Sequence, residues 1–170
     1  VKFKTKFKIS KNPFKIDLLN FKKDKNSDLE LNFEGRTNVD EKLLFNEISL
    51  KEKNKIISIK NLILSKDNKI EDLDNININY TDNDGLKNNL RLIKKDKNYL
   101  VSGSSFNIST IIDDLLNSVE DKKFNLFKKN FKINFDIEKI YLNKNNAIKR
   151  LKGFLSLNKN EITELNLVSK

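Results

Sequence analysis

The residues best placed to do chemistry are few. Residues 82–85 read DNDG, Asp113 and Asp114 are adjacent, and Gly103 precedes the run SSFN. DNDG is the oxygen-rich kind of run that could hold calcium. An EF-hand loop in that frame needs an acidic ligand two residues before Asp82 and a glutamate at its twelfth position. Those positions hold Tyr80 and Arg91, so the Asp-Gly pair reads as a hairpin turn. Asp113 and Asp114 could form an acid/base couple, but neighbours on a helix point roughly 100° apart. They read as solvated charges. Gly103 lacks the GKS or GxGxxG context of a phosphate loop. Asn79 and Asn107 match the glycosylation pattern, as an Asn-rich chain does by chance.

The chain has no Cys and no His. Disulfides and thiolate sites are excluded, and the commonest metal ligand and general base is missing. No nucleophile–base pair can be assembled. The expectation is a protein that is not an enzyme, with no catalytic residues, no metal and no cofactor.

The formal charge is +10, and the excess is lysine; arginine occurs at Arg36, Arg91 and Arg150. One reading is a basic surface for an anionic partner, nucleic acid or lipid head groups. The other is codon bias, since Lys, Asn, Ile and Phe are all abundant and all have AT-rich codons. A nucleic-acid reader would favour Arg and would interleave exposed aromatics with its lysines. Here the phenylalanines alternate in phase with Leu and Ile, so they belong to an apolar face, and no nucleic-acid partner is expected.

The elements that position these residues are mostly strands. In residues 2–9, Phe3, Phe7 and Ile9 share one face and Lys2, Lys4, Lys6 and Lys8 the other, the period of a half-buried strand. Pro13 interrupts, residues 14–21 are less regular, and residues 22–27 read as a turn. Alternation resumes at 28–34, 42–50, 55–64, 70–73, 76–80, 86–94 and 99–103. In residues 131–137, Phe131, Ile133, Phe135 and Ile137 alternate with polar neighbours. Parity flips at Ile140 and Leu142, as a β-bulge near Lys139 would produce. Strands follow at 151–157 and 162–168.

One stretch changes rhythm. Ile108, Ile111, Ile112, Leu115 and Leu116 form a single helical stripe, with Ser109 or Thr110 as the N-cap. The fold class expected is mainly β with one short α-helix. About ten strands in hairpin order would make an elongated, curved antiparallel sheet, a groove or trough roughly 45 Å across. The organisation expected is one domain: a strand meander over 1–103, the amphipathic helix over 104–119, and further strands over 120–170. No apolar run reaches the ~18 residues of a membrane span. A start at Val1 inside a strand-like pattern suggests a segment of a longer chain.

Residues 99–116 (YLVSGSSFNISTIIDDLL) and 130–169 resemble the AsmA-like envelope proteins of Gram-negative bacteria, especially the YhdP-type branch. In that pattern a strand ends in a glycine, here Gly103. A step of small residues and Phe-Asn follows, here Ser104, Ser105, Phe106 and Asn107. Then come a short helix, a variable linker, and strands like FKINFDIEKIYL and LKGFLSLNKNEITELNLVS. Residues 1–90 fit only as generic alternating strands. The resemblance implies a repeating β-groove that spans the periplasm, is anchored in the inner membrane through a segment outside this chain, and conducts phospholipid between inner and outer membranes.

Residue pattern and resemblance converge on a lipid-binding face. Low apolar content, 37% against 34% charged, suits a sheet with one apolar side. A helix of about ten residues is ~15 Å long, too short to cover it. The partners expected are phospholipid acyl chains. The groove residues expected are Phe3, Phe7, Ile9, Leu29, Leu31, Phe33, Ile57, Ile59, Ile76, Ile78, Phe131, Ile133, Phe135, Ile137, Leu155 and Leu157. The lid expected is Ile108, Ile111, Ile112, Leu115 and Leu116. The alternatives are a closed β-sandwich of structural or adhesive type without lipid cargo, and a lysine-rich nucleic-acid-binding domain.

Overall fold

The computed structural model describes residues 1–38, 40–117, 129–158 and 161–170, with 114–117 described by their backbone alone. Every expected alternating run forms a strand. In chain order they are β1 (Lys2–Ile9), β2 (Lys15–Ile16), a 3-10 turn at Asp17–Leu19, β3 (Phe21–Lys22), β4 (Leu29–Thr37), β5 (Leu43–Glu52) and β6 (Lys55–Leu64). Then come β7 (Ile70–Asp72), β8 (Asn75–Thr81), β9 (Lys87–Lys95), β10 (Asn98–Asn107), helix α1 (Ser109–Asn117), β11 (Phe131–Tyr141), β12 (Ala147–Asn158) and β13 (Glu161–Val168).

One large sheet has the order β1-β4-β5-β6-β8-β9-β10-β11-β12-β13, with β7 paired to the end of β6. β2 and β3 form a separate two-stranded hairpin. The chain is mainly β with one short helix, and the sheet does not close, the form of a curved trough. Strands before and after the helix belong to the same sheet.

The sheet is not antiparallel throughout: β10 and β11 run parallel, Tyr99 opposite Ile133 and Asn107 opposite Tyr141. A tight turn can join only antiparallel neighbours, whereas a parallel neighbour needs a crossover, most often through a helix. The connection that contains α1 is that crossover. The helix therefore lies where the next strand keeps the direction of the last, and the chain must return across the sheet to begin it.

The region around Gly103 also departs from expectation. β10 does not stop at Gly103 but continues to Asn107, so residues 104–107 are strand and the helix begins at Ser109. Ser105 Oγ donates to the Lys87 carbonyl at 2.6 Å, and Phe106 sits opposite Ile140. These contacts hold the extension in the sheet. The helix cap is neither Ser109 nor Thr110. Asn107 Oδ1 accepts from the Ser109 N–H at 3.0 Å, and Thr110 Oγ1 donates to the Leu18 carbonyl at 2.7 Å.

The parity flip in β11 is present without a β-bulge near Lys139. Ile137 and Ile140 are both buried, yet β11 keeps one register with β12 from Phe131↔Leu157 to Tyr141↔Ala147. The irregularity runs across the neighbouring strands instead. β10 shifts against β9 between Gly103 and Ser105, and Arg150 on β12 has φ 51°. No residue is inserted between β11 and β12.

Two covers lie on the apolar side. Residues 14–21 place Phe14, Ile16, Leu19 and Phe21 against Leu29, Leu50, Tyr80, Phe106 and Ile140, with Ile108 and Ile111 beside them. Tyr80 donates its hydroxyl to the Leu19 carbonyl. At the opposite end Ile70 and Leu73 pack with Leu62, Tyr99 and Phe131. No second large sheet faces the first among the described residues, so the two-layer sandwich is not formed by them.

Candidate functional site

Register fixes which residues share a face, because directly opposed residues project to the same side. One row reads Phe7, Leu31, Leu50, Ile57, Ile78, Leu90, Gly103, Ile137 and Leu151. The next on that face reads Thr5, Phe33, Ile48, Ile59, Ile76, Leu92, Val101, Phe135, Gly153 and Leu167. Between them, pointing the other way, runs Lys6, Asn32, Ser49, Ser58, Asn77, Arg91, Ser102, Asp136 and Lys152. The alternation of each strand thus becomes an apolar side and a largely polar side of the whole sheet. The polar side carries some apolar pairs, Leu44–Ile63 and Ile93–Leu100, all partly buried.

All sixteen expected groove positions fall on the apolar side. Leu29, Ile78, Phe131 and Ile137 are buried there. Ile9, Leu31, Ile57, Ile59, Ile76, Ile133, Phe135 and Leu157 are partly buried against those clusters. Phe3, Phe33 and Leu155 are half-buried outside them, and Phe7 is 53% exposed. Phe3 meets Phe45 edge-on at 5.6 Å between ring centres, and Phe7 meets Phe33 at 6.1 Å. Toward β13 the face opens: Ile162, Leu165 and Leu167 lie opposite Leu157, Leu155 and Gly153 and are exposed. In the lid, Ile108 and Ile111 pack on the core and Ile112 is half-buried. Leu115 and Leu116 lie outside the residues whose side chains are described, as do Asp114 and residues 118–128.

Sequence reasoning missed the covers. Phe14, Ile16, Leu19 and Phe21 show no clean period, but their density of large apolar residues just after Pro13 was the available signal. It also missed Ile48, Leu50, Leu90, Leu92 and Val101, which lie in the rows, and Tyr80, which packs beneath the 14–21 cover.

No family model, curated protein or solved structure matches this chain.

The other residues singled out for chemistry have structural places. Asp82 caps its own turn, accepting from the Asp84 and Leu86 N–H groups at 2.9 Å each. Asp113 is exposed. Gly103 lies inside β10, where a Cβ would sit 2.2 Å from the Asn89 carbonyl oxygen. Asn107 is 4% exposed and its Nδ2 is bonded to Asp82, so that sequon is inaccessible in the fold. Among the described residues no three potential ligands gather around a metal position, and no helix is long and apolar enough to cross a membrane.

Several charges pair across neighbouring strands. On β1, Lys4, Lys6 and Lys8 reach Glu34, Glu30 and Asp28 at 2.9, 2.9 and 2.8 Å. Three of the four lysines of that stripe are therefore paired with acids on or beside β4. At the covered end, Glu52 is 1% exposed. Its Oε1 accepts from the Asp24 N–H at 2.6 Å and from Ser27 Oγ. Its Oε2 takes no well-aligned hydrogen bond but faces Lys55 Nζ at 3.1 Å. Lys55 also reaches Asp24 at 2.7 Å. Burial alone would lower the Lys55 pKa; hydrogen bonds to Asp24 and Glu52 outweigh it and raise it above the ordinary lysine value. Burial pushes the Tyr80 phenol up, so it stays a donor to Leu19.

Proposed function

We propose that the apolar side of the sheet holds phospholipid acyl chains. On this reading the chain is a segment of an AsmA-like, periplasm-spanning protein that is anchored in the inner membrane and conducts lipid between inner and outer membranes. The observation that carries it is the row Phe33–Ile48–Ile59–Ile76–Leu92. Its members cross five adjacent strands on one face, stay half-buried, and lie between the two covers. A continuous apolar surface of that kind marks a binding face. An acyl chain gains ~0.8 kcal/mol per buried CH₂ and needs no directional contact. Each rung offers nearly the same environment, so movement along the face meets low barriers. The resemblance over residues 99–116 and 130–169 supports the transport reading.

The test is the lipid content of the purified chain, by native mass spectrometry and solvent extraction. Co-purifying phospholipid is expected. Ile133→Asp or Phe135→Asp should abolish it while far-ultraviolet circular dichroism keeps its strand signal. Lipid-free protein at every stage of purification, or variants that simply unfold, would count for a closed core in a structural or adhesive domain.

A further inference from the structure

We propose that the cavity between the 22–25 turn and residues 81–83 binds a phosphate-bearing ligand. The cavity has a volume of about 400 Å³ and is lined by Lys22, Lys23, Lys25 and Lys55 beside two carboxylates, Asp24 and Asp82. Both carboxylates are already committed. Asp24 holds Lys55 at 2.7 Å and Lys53 at 3.4 Å. Asp82 Oδ2 accepts from Asn88 and Asn107, and its Oδ1 from two backbone N–H groups.

Lys23 sets this cavity apart from an ordinary patch of surface lysines. It is only 4% exposed, and among the described residues its Nζ makes one hydrogen bond, to the Asp24 carbonyl at 3.0 Å. An ammonium has three N–H donors, and burying one with donors unmet is costly. The carboxylate that feels Lys23 through space, Asp28, is itself held by Lys8 at 2.8 Å. Among the described residues, no carboxylate lies within ion-pair distance of this buried cation. Lys22 and Lys25 are exposed at the same cavity, and no ion pair engages either among the described residues. A phosphate group accepting from Lys23, with Lys22 and Lys25 closing from solvent, satisfies all three. Lysine ammoniums suit phosphate as point charges. This site does not depend on the acyl-chain reading, since its groups sit in turns and at strand ends, away from the rows of the apolar face.

A phosphate could come from a soluble compound or a lipid headgroup, and two arms separate them. In the first, the full chain is titrated with inorganic phosphate against chloride at equal ionic strength. Amide NMR shifts of residues 22–25 and 83 and the thermal midpoint are followed. Saturable shifts and a raised midpoint are expected with phosphate alone. In the second, flotation is measured with phosphatidylcholine vesicles with and without phosphatidic acid. Flotation that requires phosphatidic acid assigns the phosphate to a headgroup; a phosphate response without flotation assigns it to a soluble compound. Either upholds the site.

Lys23→Met should abolish both responses, with the unliganded midpoint equal or higher because an under-satisfied buried charge is gone. Lys22→Gln with Lys25→Gln, at exposed positions, should weaken phosphate binding about tenfold. Phe135→Asp, in the apolar face, should leave the phosphate response unchanged. The proposal is overturned if phosphate acts no differently from chloride and flotation ignores phosphatidic acid. It is equally overturned if the double glutamine variant, or a folded Lys23→Met protein, titrates like the parent.

Discussion

Asn107 Nδ2 donates to Asp82 Oδ2 at 2.8 Å, across 25 residues of sequence, and both residues are almost fully buried. Asn88, wholly buried, completes the arrangement: its Nδ2 reaches Asp82 Oδ2 at 3.2 Å and its Oδ1 accepts the Asn107 N–H at 2.8 Å. The same Asn107 offers its Oδ1 to the first residue of α1. One polar cluster therefore sets both the DNDG turn and the point where strand gives way to helix. It aims the helix at the 14–21 cover, where Thr110 meets Leu18.

Asp82→Ala should test that coupling. It strips the acceptor from Asn88, Asn107 and two backbone N–H groups at once, and buried donors left unmet are expensive. A loss of about 3 kcal/mol in urea unfolding is expected. Asp84→Ala, two residues on and exposed, loses only contacts to Asn20 and Lys144 and should cost less than about 1 kcal/mol. Equal costs would show that the turn, and not the buried cluster, carries the stability.

Gly103→Ala addresses the close approach of two strands. A Cβ there would sit 2.2 Å from the Asn89 carbonyl oxygen and 2.9 Å from the Leu90 Cα. Both are backbone atoms, so β9 and β10 would have to part. The expected loss is about 1–3 kcal/mol, the range for forced overpacking. Faster amide exchange in β9 and β10 than in β5 and β6 would place the damage at this seam. A neutral substitution would mean the two strands can slide apart freely.

How much of this was legible beforehand depends on the kind of information a pattern carries. FKINFDI names its own faces, because parity alone decides which side chains share a side, and all sixteen groove positions fall together for that reason. Strand direction is not encoded in parity. The parallel pairing of β10 and β11 was visible only indirectly, in a helix lying between strands that a short turn could not join. The cap was misplaced because Ser109, Thr110 and Asn107 all have capping side chains. What decided among them was the extension of β10 through Phe106, a tertiary contact with Ile140. The 14–21 cover showed only its apolar density and no period, for the same reason: β2 and β3 have two residues each, and Phe14 and Phe21 are held by packing against the sheet and Tyr80.

The ion cluster at the covered end predicts a pH window. The hydrogen bond from Lys55 holds the Asp24 carboxyl below the ordinary value of 3.8. A depressed acid stabilises the fold above its unfolded pKa and loses that contribution as pH falls through its folded pKa. Lys55 is raised above 10.5, so its contribution is complete below that value and fades as pH rises through the folded pKa. The lock between the 22–27 turn and β5–β6 should hold from roughly pH 4 to 10 and weaken on both sides. Urea midpoints across that range should form a plateau with two falling limbs. Lys55→Met should flatten the alkaline limb and shrink the acid one. Asp24 is mostly solvent-exposed, so its limb should be shallow and salt-sensitive.

The open edge makes the last prediction. β13 pairs with β12 alone, and it exposes Ile162 at 61%, Leu165 at 60% and Leu167 at 43% on the apolar side. An edge strand with free backbone donors and exposed apolar side chains is a template for pairing with another strand. β1 at the far edge differs, since Lys4, Lys6 and Lys8 are matched by Glu34 and Glu30 on β4 and by Asp28 just before it. Self-association of the isolated chain should therefore begin at β13. Ile162→Lys with Leu165→Lys should lower the fraction of higher species in sedimentation velocity. Stability should change by no more than about 0.5 kcal/mol, because neither side chain is buried to begin with. Lys2→Gln with Lys6→Gln, at exposed positions of β1, should leave the distribution alone. If the β1 changes suppress association and the β13 changes do not, the sticky edge is the lysine-bearing one, and exposed apolar area is the wrong guide to it.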